Sequence, residues 1–277
     1  MLRRLAGLEE AIFQRYTLLR VLGQGASSIV YLAYDLELSR RVALKVLRPE
    51  RSTDTGAERF LQEIRTAARL VHPNILEVYD AGVAGGFLYY VTRFVSGPSL
   101  RVRLNRLGTL GVREAVRIAA DVGRGLSYAH HHGVIHRDVK PENILLDGAG
   151  ALLADFGTAL SLREPALPRR NTTTPGLFVS GTPEYMSPEQ IAGFAVDPRT
   201  DMYSLACVLY EALAGRPPFG GHDARCVLAS HFLRRPHPLR AFRPEVPEEI
   251  CTALHRALSR DPDERFCTMD QFLLALG

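Results

Sequence analysis

The stretch VLGQGASSIVYLAYDLELSRRVALKVL, residues 21–47, decides which fold the chain adopts. Gly23 and Gly25 are separated by one residue, and Ser28 stands where several nucleotide-binding motifs carry a third glycine. A dinucleotide-binding fold requires a helix directly after such glycines, and a P-loop requires Gly-Lys-Ser/Thr. The residues that follow here, IVYLAY, are β-branched and aromatic, and they favour a strand.

A further strand pattern lies beyond a polar turn, where VALKVL at residues 42–47 follows DLELSRR. The order strand, loop, strand, turn, strand favours a glycine loop between antiparallel strands that covers phosphates. Lys45 shares a strand face with Ala43, and burial of its charge is costly without an anion. A solvent-facing lysine on an edge strand is the alternative. A helix predicted over residues 56–70 supplies Glu63 as an ion-pair partner for Lys45.

The strongest chemical signal is HRDVKPENILLDGAGALLADFG at residues 136–157. HRD alone is compatible with a polar turn before a strand, but the accompanying Lys140, Asn143 and DFG argue for chemistry. The ordered set GxGxxSxV, VALK, HRDxKPEN, DFG, GTPEYMSPE and DMYSLA resembles Hanks-type serine/threonine protein kinases. It is most similar to the eukaryotic-like kinases of bacteria, and the resemblance runs from about Tyr16 to Phe266.

This resemblance implies a bilobal α+β fold of the protein-kinase type. A small N-lobe, about residues 16–94, would hold an antiparallel sheet and one main helix. A larger, mostly helical C-lobe would span about residues 95–277. Residues 1–15 are expected to form a helical extension that packs on its own domain, with a membrane-surface anchor as the alternative.

The implied activity is transfer of the ATP γ-phosphate to Ser/Thr hydroxyls of protein substrates, with Mg²⁺ as the metal and Mn²⁺ as an alternative. By matched position, Asp138 orients the attacking hydroxyl and takes its proton, and Lys140 neutralises the γ-phosphate. Asn143 and Asp155 hold the magnesium ions, which prefer oxygen ligands.

The resemblance also implies a nucleotide-binding set in which Lys45, paired with Glu63, grips the α- and β-phosphates. The set comprises Leu22, Gly23, Gln24, Gly25, Ala26, Ser27, Ser28, Ile29, Val30, Ala43, Lys45, Thr92, Phe94, Val95 and Leu145. Three of its members would enclose the adenine: Val30, Ala43 and Leu145. Ser28 is expected to alter phosphate contact slightly without loss of nucleotide binding, since its side chain is small.

On the acceptor side, the resemblance places an activation segment at residues 155–189. Its middle, SLREPALPRRNTTTPG, has the composition of a mobile loop. Thr182 would lie beside the catalytic aspartate and lysine and shape the hydroxyl pocket. Autophosphorylation in a transient homodimer at residues 172–174, with Thr174 favoured, would order the segment by pairing phosphate with Arg137.

Two structural ties follow from the same resemblance. Glu189 and Arg265 should form a buried ion pair, and Asp201 should anchor the catalytic loop from the core of a helix. The same resemblance implies that His136 and Phe156 stack in the core of the C-lobe.

The composition is compatible with this assignment. The 277 residues are 46% hydrophobic and 23% charged, with a net charge of +4 spread along the chain. That mild excess indicates a solvated surface, so nucleic acid is not expected as a partner. The four cysteines form no C-x-x-C pair, which favours reduced thiols and a cytoplasmic location over zinc binding. No apolar run approaches the roughly 18 residues of a membrane span.

Two other functions are compatible with a kinase-like sequence. A pseudokinase scaffold would need a distortion that the sequence does not reveal, because Lys45, Glu63, Asp138, Asn143 and Asp155 are all present. A small-molecule phosphotransferase of the same fold generally lacks a long activation segment, which this chain carries up to GTPEYMSPE.

Overall fold

The computed structural model describes residues 12, 14–25, 28–47, 61–62, 64–156, 160–161 and 182–277. The chain divides into two compact units, Met1–Ser96 and Gly97–Gly277. The first contains an antiparallel sheet and the second is mainly helical, so the predicted α+β class is confirmed.

The N-terminal unit is built on one five-stranded antiparallel sheet. Its strands are β1 Tyr16–Gln24, β2 Ser28–Asp35, β3 Arg40–Leu47, β4 Val78–Ala84 and β5 Phe87–Arg93. They lie in the order β1-β2-β3-β5-β4. The predicted succession of strand, glycine loop, strand, turn and strand is therefore correct. Residues 61–62 and 64–67 are helical and fall within the helix predicted over residues 56–70.

Side chains alternate along β3 as a strand with one buried face requires. Val42, Leu44 and Val46 belong to the hydrophobic core of this unit. Ala43 and Lys45 lie on the opposite face and are half-buried. The expected common face for these two residues is thus present, and it leaves the lysine off the core.

The described part of the C-terminal unit contains helices and two small sheets. The helices are α1 Leu100–Leu107, α2 Val112–His131, α3 Pro188–Ala192, α4 Arg199–Ala214, α5 Ala224–Leu233, α6 Glu248–Ala257 and α7 Met269–Leu276. The short strands are β6 Val134–Ile135, β7 Ile144–Asp147, β8 Gly150–Leu153 and β9 Leu160–Ser161. β6 pairs with β9, and β7 pairs with β8.

Helix α4 forms the centre of the C-terminal unit, since residues 200–213 are all buried. A helix that is enclosed on every side must satisfy any polar group it carries within the protein. α4 carries such groups in Asp201, Ser204 and Glu211. Their partners, described below, are the segments that carry the predicted catalytic and acceptor-binding residues.

Within the described part of the chain, none of the helices is both long enough and apolar enough to traverse a lipid bilayer. All four cysteines lie among the described residues, and all are free thiols.

Candidate active site

The loop between β6 and a 3-10 helix at Pro141–Asn143 brings three predicted catalytic residues together. Nζ of Lys140 donates to Oδ2 of Asp138 at 2.6 Å. Nδ2 of Asn143 donates to the backbone oxygen of Asp138 at 2.8 Å and to Oδ2 at 3.0 Å. Oδ1 of Asp138 accepts no hydrogen bond from the described residues, and the side chain is 20% exposed. This oxygen is available to a hydroxyl group from outside.

The loop is anchored from below by Asp201 of α4, as predicted. Its two carboxylate oxygens accept hydrogen bonds from the backbone N–H groups of His136, at 2.9 Å, and Arg137, at 2.8 Å. Oδ2 also lies 2.8 Å from Nε2 of His130. Burial alone raises the pKa of Asp201, but the hydrogen bonds with His130 and the loop backbone lower it overall. The anchor is therefore a carboxylate at neutral pH.

Asp155, a predicted metal ligand, follows β8 in a left-handed backbone conformation with φ of 71°. Its neighbours fix this turn to the catalytic loop. Nε2 of His136 donates to the carbonyl oxygen of Ala154 at 2.9 Å, and the His136 and Phe156 rings meet edge to face with centroids 4.5 Å apart. The predicted buried contact between these two rings is confirmed, but the rings meet edge to face and are not stacked.

The donor chemistry of the C-terminal unit suits a magnesium ion. Asn143 uses its amide nitrogen on Asp138, which leaves its amide oxygen for a cation. Asp155 contributes a carboxylate, and Mg²⁺ prefers such oxygen ligands. The two predicted metal ligands therefore fit the metal by residue type and by the orientation of the Asn143 amide.

In the N-terminal unit, the sheet register places several predicted nucleotide-binding residues on one face. Lys45 is opposite Val30 on β2 and opposite Tyr90 on β5, and Ala43 is opposite Thr92. Nζ of Lys45 lies 5.6 Å from the centroid of the Tyr90 ring. Cross-strand neighbours share a face, so these side chains form one surface.

The other predicted nucleotide-binding residues lie at the glycine turn and after β5 in the N-terminal unit, and on β7 in the C-terminal unit. The backbone N–H of Gly25 donates to the carbonyl oxygen of Ser28 at 2.9 Å, which closes the turn between β1 and β2. The side chain of Ile29 is buried in the sheet core, so only its backbone can meet a ligand. The end of β1 is exposed, and it comprises Leu22, Gly23 and Gln24. Three further predicted residues are half-buried: Phe94 and Val95 after β5, and Leu145 on β7.

Some predictions lie outside the described residues. They concern Ala26, Ser27, the Lys45 partner Glu63, and the threonines of residues 172–174. The proposed pairings of these residues stay predictions.

The segment that follows Thr182 is held by several polar contacts. His231 of α5 donates from Nε2 to the carbonyl oxygen of Pro183 at 2.9 Å. The Ser204 hydroxyl of α4 donates to the carbonyl oxygen of Tyr185 at 2.7 Å. Nε2 of Gln190 donates to the carbonyl oxygen of Arg137 at 2.9 Å. The acceptor side is thus tied to α4, α5 and the catalytic loop, and the place of Thr182 next to Asp138 stays a prediction.

Glu189 and Arg265 form the buried ion pair that the sequence predicted. Burial alone would raise the pKa of Glu189, but its hydrogen bonds with Arg265 and Thr200 lower it overall. The pair connects Glu189, in the first turn of α3, with Arg265, which lies shortly before α7.

Sequence reasoning missed Arg101, whose guanidinium contacts Glu142, Tyr185 and Glu211. One local signal existed. Arg101 lies in the first turn of α1, where the helix dipole disfavours a positive charge. No acidic residue in that turn offsets the charge, so a partner elsewhere in the fold could be expected.

Comparison with known proteins supports the resemblance to protein kinases that the sequence motifs indicate. The model of the family described as "Protein kinase domain" matches residues 16–274. The serine/threonine-protein kinase PknB of Mycolicibacterium smegmatis is 42% identical over 260 residues. PrkC of Bacillus subtilis, also named a serine/threonine-protein kinase, is 35% identical over 258 residues. Each alignment covers 92% of this chain.

The chain spans about two fifths of the length of these curated relatives, 41% of PknB and 39% of PrkC. Among solved structures, the kinase domain of PknI from Mycobacterium tuberculosis superposes with a TM-score of 0.73 at 35% identity. The match covers 94% of both chains.

Proposed function

Because the chain belongs to the protein kinase domain family, we propose that it is a serine/threonine protein kinase that uses ATP to phosphorylate protein substrates. The observation that carries the proposal is the cluster of Asp138, Lys140 and Asn143, in which one carboxylate oxygen remains available to an acceptor. PknB and PrkC, which match 92% of this chain, are named serine/threonine-protein kinases, and this supports serine and threonine as acceptors.

At phosphorus, the proposed reaction makes one bond and breaks one bond. The acceptor hydroxyl oxygen bonds to the γ-phosphorus as the bond to the β,γ-bridging oxygen breaks, and the hydroxyl proton passes to Asp138. Oδ1 of Asp138 would orient that hydroxyl, since Oδ2 is already held by Lys140 and Asn143. The Lys140 ammonium would neutralise charge on the transferred phosphoryl group.

Asn143 and Asp155 would hold Mg²⁺, or Mn²⁺ in its place, and the ion supplies charge neutralisation at the phosphate oxygens when bound. Lys45 would contact the α- and β-phosphates from its half-buried strand position. The surface that Val30, Ala43 and Thr92 share with Lys45 would accept the nucleotide base. These assignments rest on matched motif positions together with the strand register.

We further propose that the kinase autophosphorylates in trans at residues 172–174 within a transient homodimer. Phosphate on Thr174 would pair with Arg137, whose backbone is fixed by Asp201 and Gln190. A cytoplasmic site of action suits the four free thiols and the need for ATP.

The test is a transfer assay with purified chain, labelled ATP, Mg²⁺ and a generic basic protein, followed by phosphoamino acid analysis. We expect phosphoserine and phosphothreonine, loss of transfer in Asp138→Asn, and normal transfer in the surface control Asp270→Asn. Absence of transfer by the wild-type chain would favour a scaffold. Transfer to a small molecule in place of protein would favour a small-molecule phosphotransferase.

A further inference from the structure

Arg101 occupies an unfavourable position for an arginine. Ser99 caps the N-terminus of α1, so Arg101 is the second residue of the helix and its positive charge opposes the helix dipole. A residue that violates a local rule is commonly retained for a role elsewhere in the fold. The contacts of its guanidinium identify that role.

The guanidinium joins three segments that are distant in sequence. Nε donates to Oε1 of Glu142 at 2.7 Å, and Nη1 donates to Oε1 of Glu211 at 2.7 Å. Nη2 contacts Oε2 of Glu211 at 3.3 Å and also the Tyr185 hydroxyl, which itself donates to Oε2 of Glu211. Every nitrogen of the guanidinium is therefore engaged, and both Glu211 oxygens are occupied.

The three partners lie in or next to the segments that carry the residues proposed for transfer to protein. Glu142 lies between Lys140 and Asn143 in the catalytic loop. Tyr185 closes the 3-10 helix that begins directly after Thr182. Glu211 extends from the buried helix α4. Arg101 thus connects the catalytic loop and residues 182–185, here called the acceptor segment, to the same rigid element, helix α4.

The charges make this connection hard to replace. Glu211 is 8% exposed, and without Arg101 only Tyr185 would remain among its described partners. Burial together with the Glu211 carboxylate raises the pKa of Tyr185, so the phenol stays protonated and donates. Loss of the guanidinium would leave a buried carboxylate with little compensation beside a second one on Glu142. The two glutamates and the tyrosine would then have to separate.

We propose that Arg101 is a positioning residue for the protein acceptor: it fixes the segment at residues 182–185 against the catalytic loop. It sets how the acceptor binds and how fast it reacts, while ATP binding is independent of it. The proposal rests on the protein kinase function proposed above.

The test compares Arg101→Met with Arg103→Met. Arg103 is on the same helix and pairs at 2.6 Å with Glu114 of α2, a partner outside the catalytic loop and the acceptor segment. For Arg101→Met we expect kcat/KM for a peptide acceptor to fall roughly tenfold or more, with KM for ATP changed less than about twofold. Arg103→Met should leave both values near those of the wild type.

Two further variants separate positioning from simple loss of stability. Arg101→Lys keeps the charge but cannot reach several acceptors at once, so partial recovery is expected. Glu142→Gln in the Arg101→Met background should cause no further loss, because the Glu142 contact with Arg101 is already gone and one of the two uncompensated carboxylates is removed. Equal kinetic losses in Arg101→Met and Arg103→Met, or a full additive loss in the double variant, would overturn the proposal.

A readout without catalysis distinguishes this proposal from the proposed function. Amide hydrogen exchange at residues 182–186 should accelerate in Arg101→Met and stay unchanged in Arg103→Met. Unchanged exchange in both variants would reject the positioning role even if the wild-type chain is an active kinase. An inactive wild-type chain with faster exchange in Arg101→Met would reject the kinase function and leave the structural tie in place.

Discussion

Arg265 and Glu189 form a two-point ion pair in which Nη1 and Nη2 each donate to a separate carboxylate oxygen at 2.8 Å. The arginine side chain is 0% exposed and the glutamate side chain 7%. Arg265 further donates to the carbonyl oxygens of Ser259, Arg199 and Arg260. The ion pair and these carbonyl contacts satisfy a guanidinium that is wholly withdrawn from water.

Removal of either partner of the Arg265–Glu189 ion pair should strongly reduce the free energy of unfolding. Glu189→Ala leaves a buried cation without its counter-charge, and we expect the free energy of unfolding to fall by about 3–5 kcal/mol. The matched control is Asp263→Ala, which removes the 84% exposed partner of Arg199 and should cost no more than about 1 kcal/mol. Denaturant unfolding measures both values, and similar losses in the two variants would contradict the assignment of a buried structural pair.

Lys45→Met should fold normally and fail to transfer phosphate. The lysine lies off the core face of β3, so its replacement should remove the proposed phosphate contact without opening a cavity. Arg41→Met removes an exposed cation from the same strand and serves as control. Circular dichroism checks folding, and a transfer rate near that of the wild type would refute the role of Lys45.

Asp138→Asn and Asp155→Asn should have different effects. Asp138 is expected to act on the acceptor hydroxyl, so its replacement should reduce kcat by at least ~100-fold with nucleotide affinity nearly intact. Asp155 is expected to hold the metal, so its replacement should weaken nucleotide binding only when Mg²⁺ is present. Calorimetric titrations with and without Mg²⁺ test this division, which fails if both variants behave alike.

His231 should make stability depend on pH. Burial lowers its pKa to about 4, and the neutral ring donates to Pro183 while Nδ1 accepts from the Tyr203 hydroxyl at 2.8 Å. An unfolded chain has an ordinary histidine pKa near 6.5 and so binds more protons between these values. The free energy of unfolding should therefore fall as the pH drops from about 6.5 to about 4, by on the order of 3 kcal/mol.

The pH dependence attributed to His231 is isolated by comparison with His231→Gln. The variant should show a shallower loss of stability across that range, measured as the midpoint of urea unfolding at each pH. Parallel curves for the two proteins would show that other groups carry the dependence.

The threonines at residues 172–174 should carry phosphate after incubation with Mg-ATP. A phosphate there brings close to two negative charges, which Arg137 is expected to pair. The triple alanine variant should lose activation and keep the basal rate. Mass spectrometry and kinetics test this together, and an unmodified run or a fully active triple variant would exclude the switch.

Much of the site was predictable because its determinants are local in sequence. The HRD and KPEN residues are separated by only a few positions, so Asp138, Lys140 and Asn143 have little freedom to lie apart. The strand pattern around Lys45 was similarly local, because alternation along β3 alone decides which face it occupies. Glu189 and Arg265 are 76 residues apart, and only the family resemblance indicated their pairing.

Other contacts between segments that are distant in sequence escaped prediction. Arg101 meets partners that are 41, 84 and 110 residues away, and no periodic pattern encodes that meeting. His231 donates a hydrogen bond to the carbonyl oxygen of Pro183, and this bond follows from the packing of α5 against a 3-10 helix. Such contacts depend on how elements pack in three dimensions, and a one-dimensional pattern does not specify this.

Helix α4 links the proposed catalytic loop to the folding stability of the C-terminal unit. Asp201 holds the catalytic loop, Ser204 and Glu211 hold the acceptor segment, and the helix that carries all three is enclosed along nearly its whole length. Elements with that degree of burial open only with the whole domain. The alignment of the catalytic groups is therefore part of the cooperative folding unit. The anchor groups on α4 are lost together with that unit, whereas a segment that they hold can still open locally when a contact such as that of Arg101 is removed.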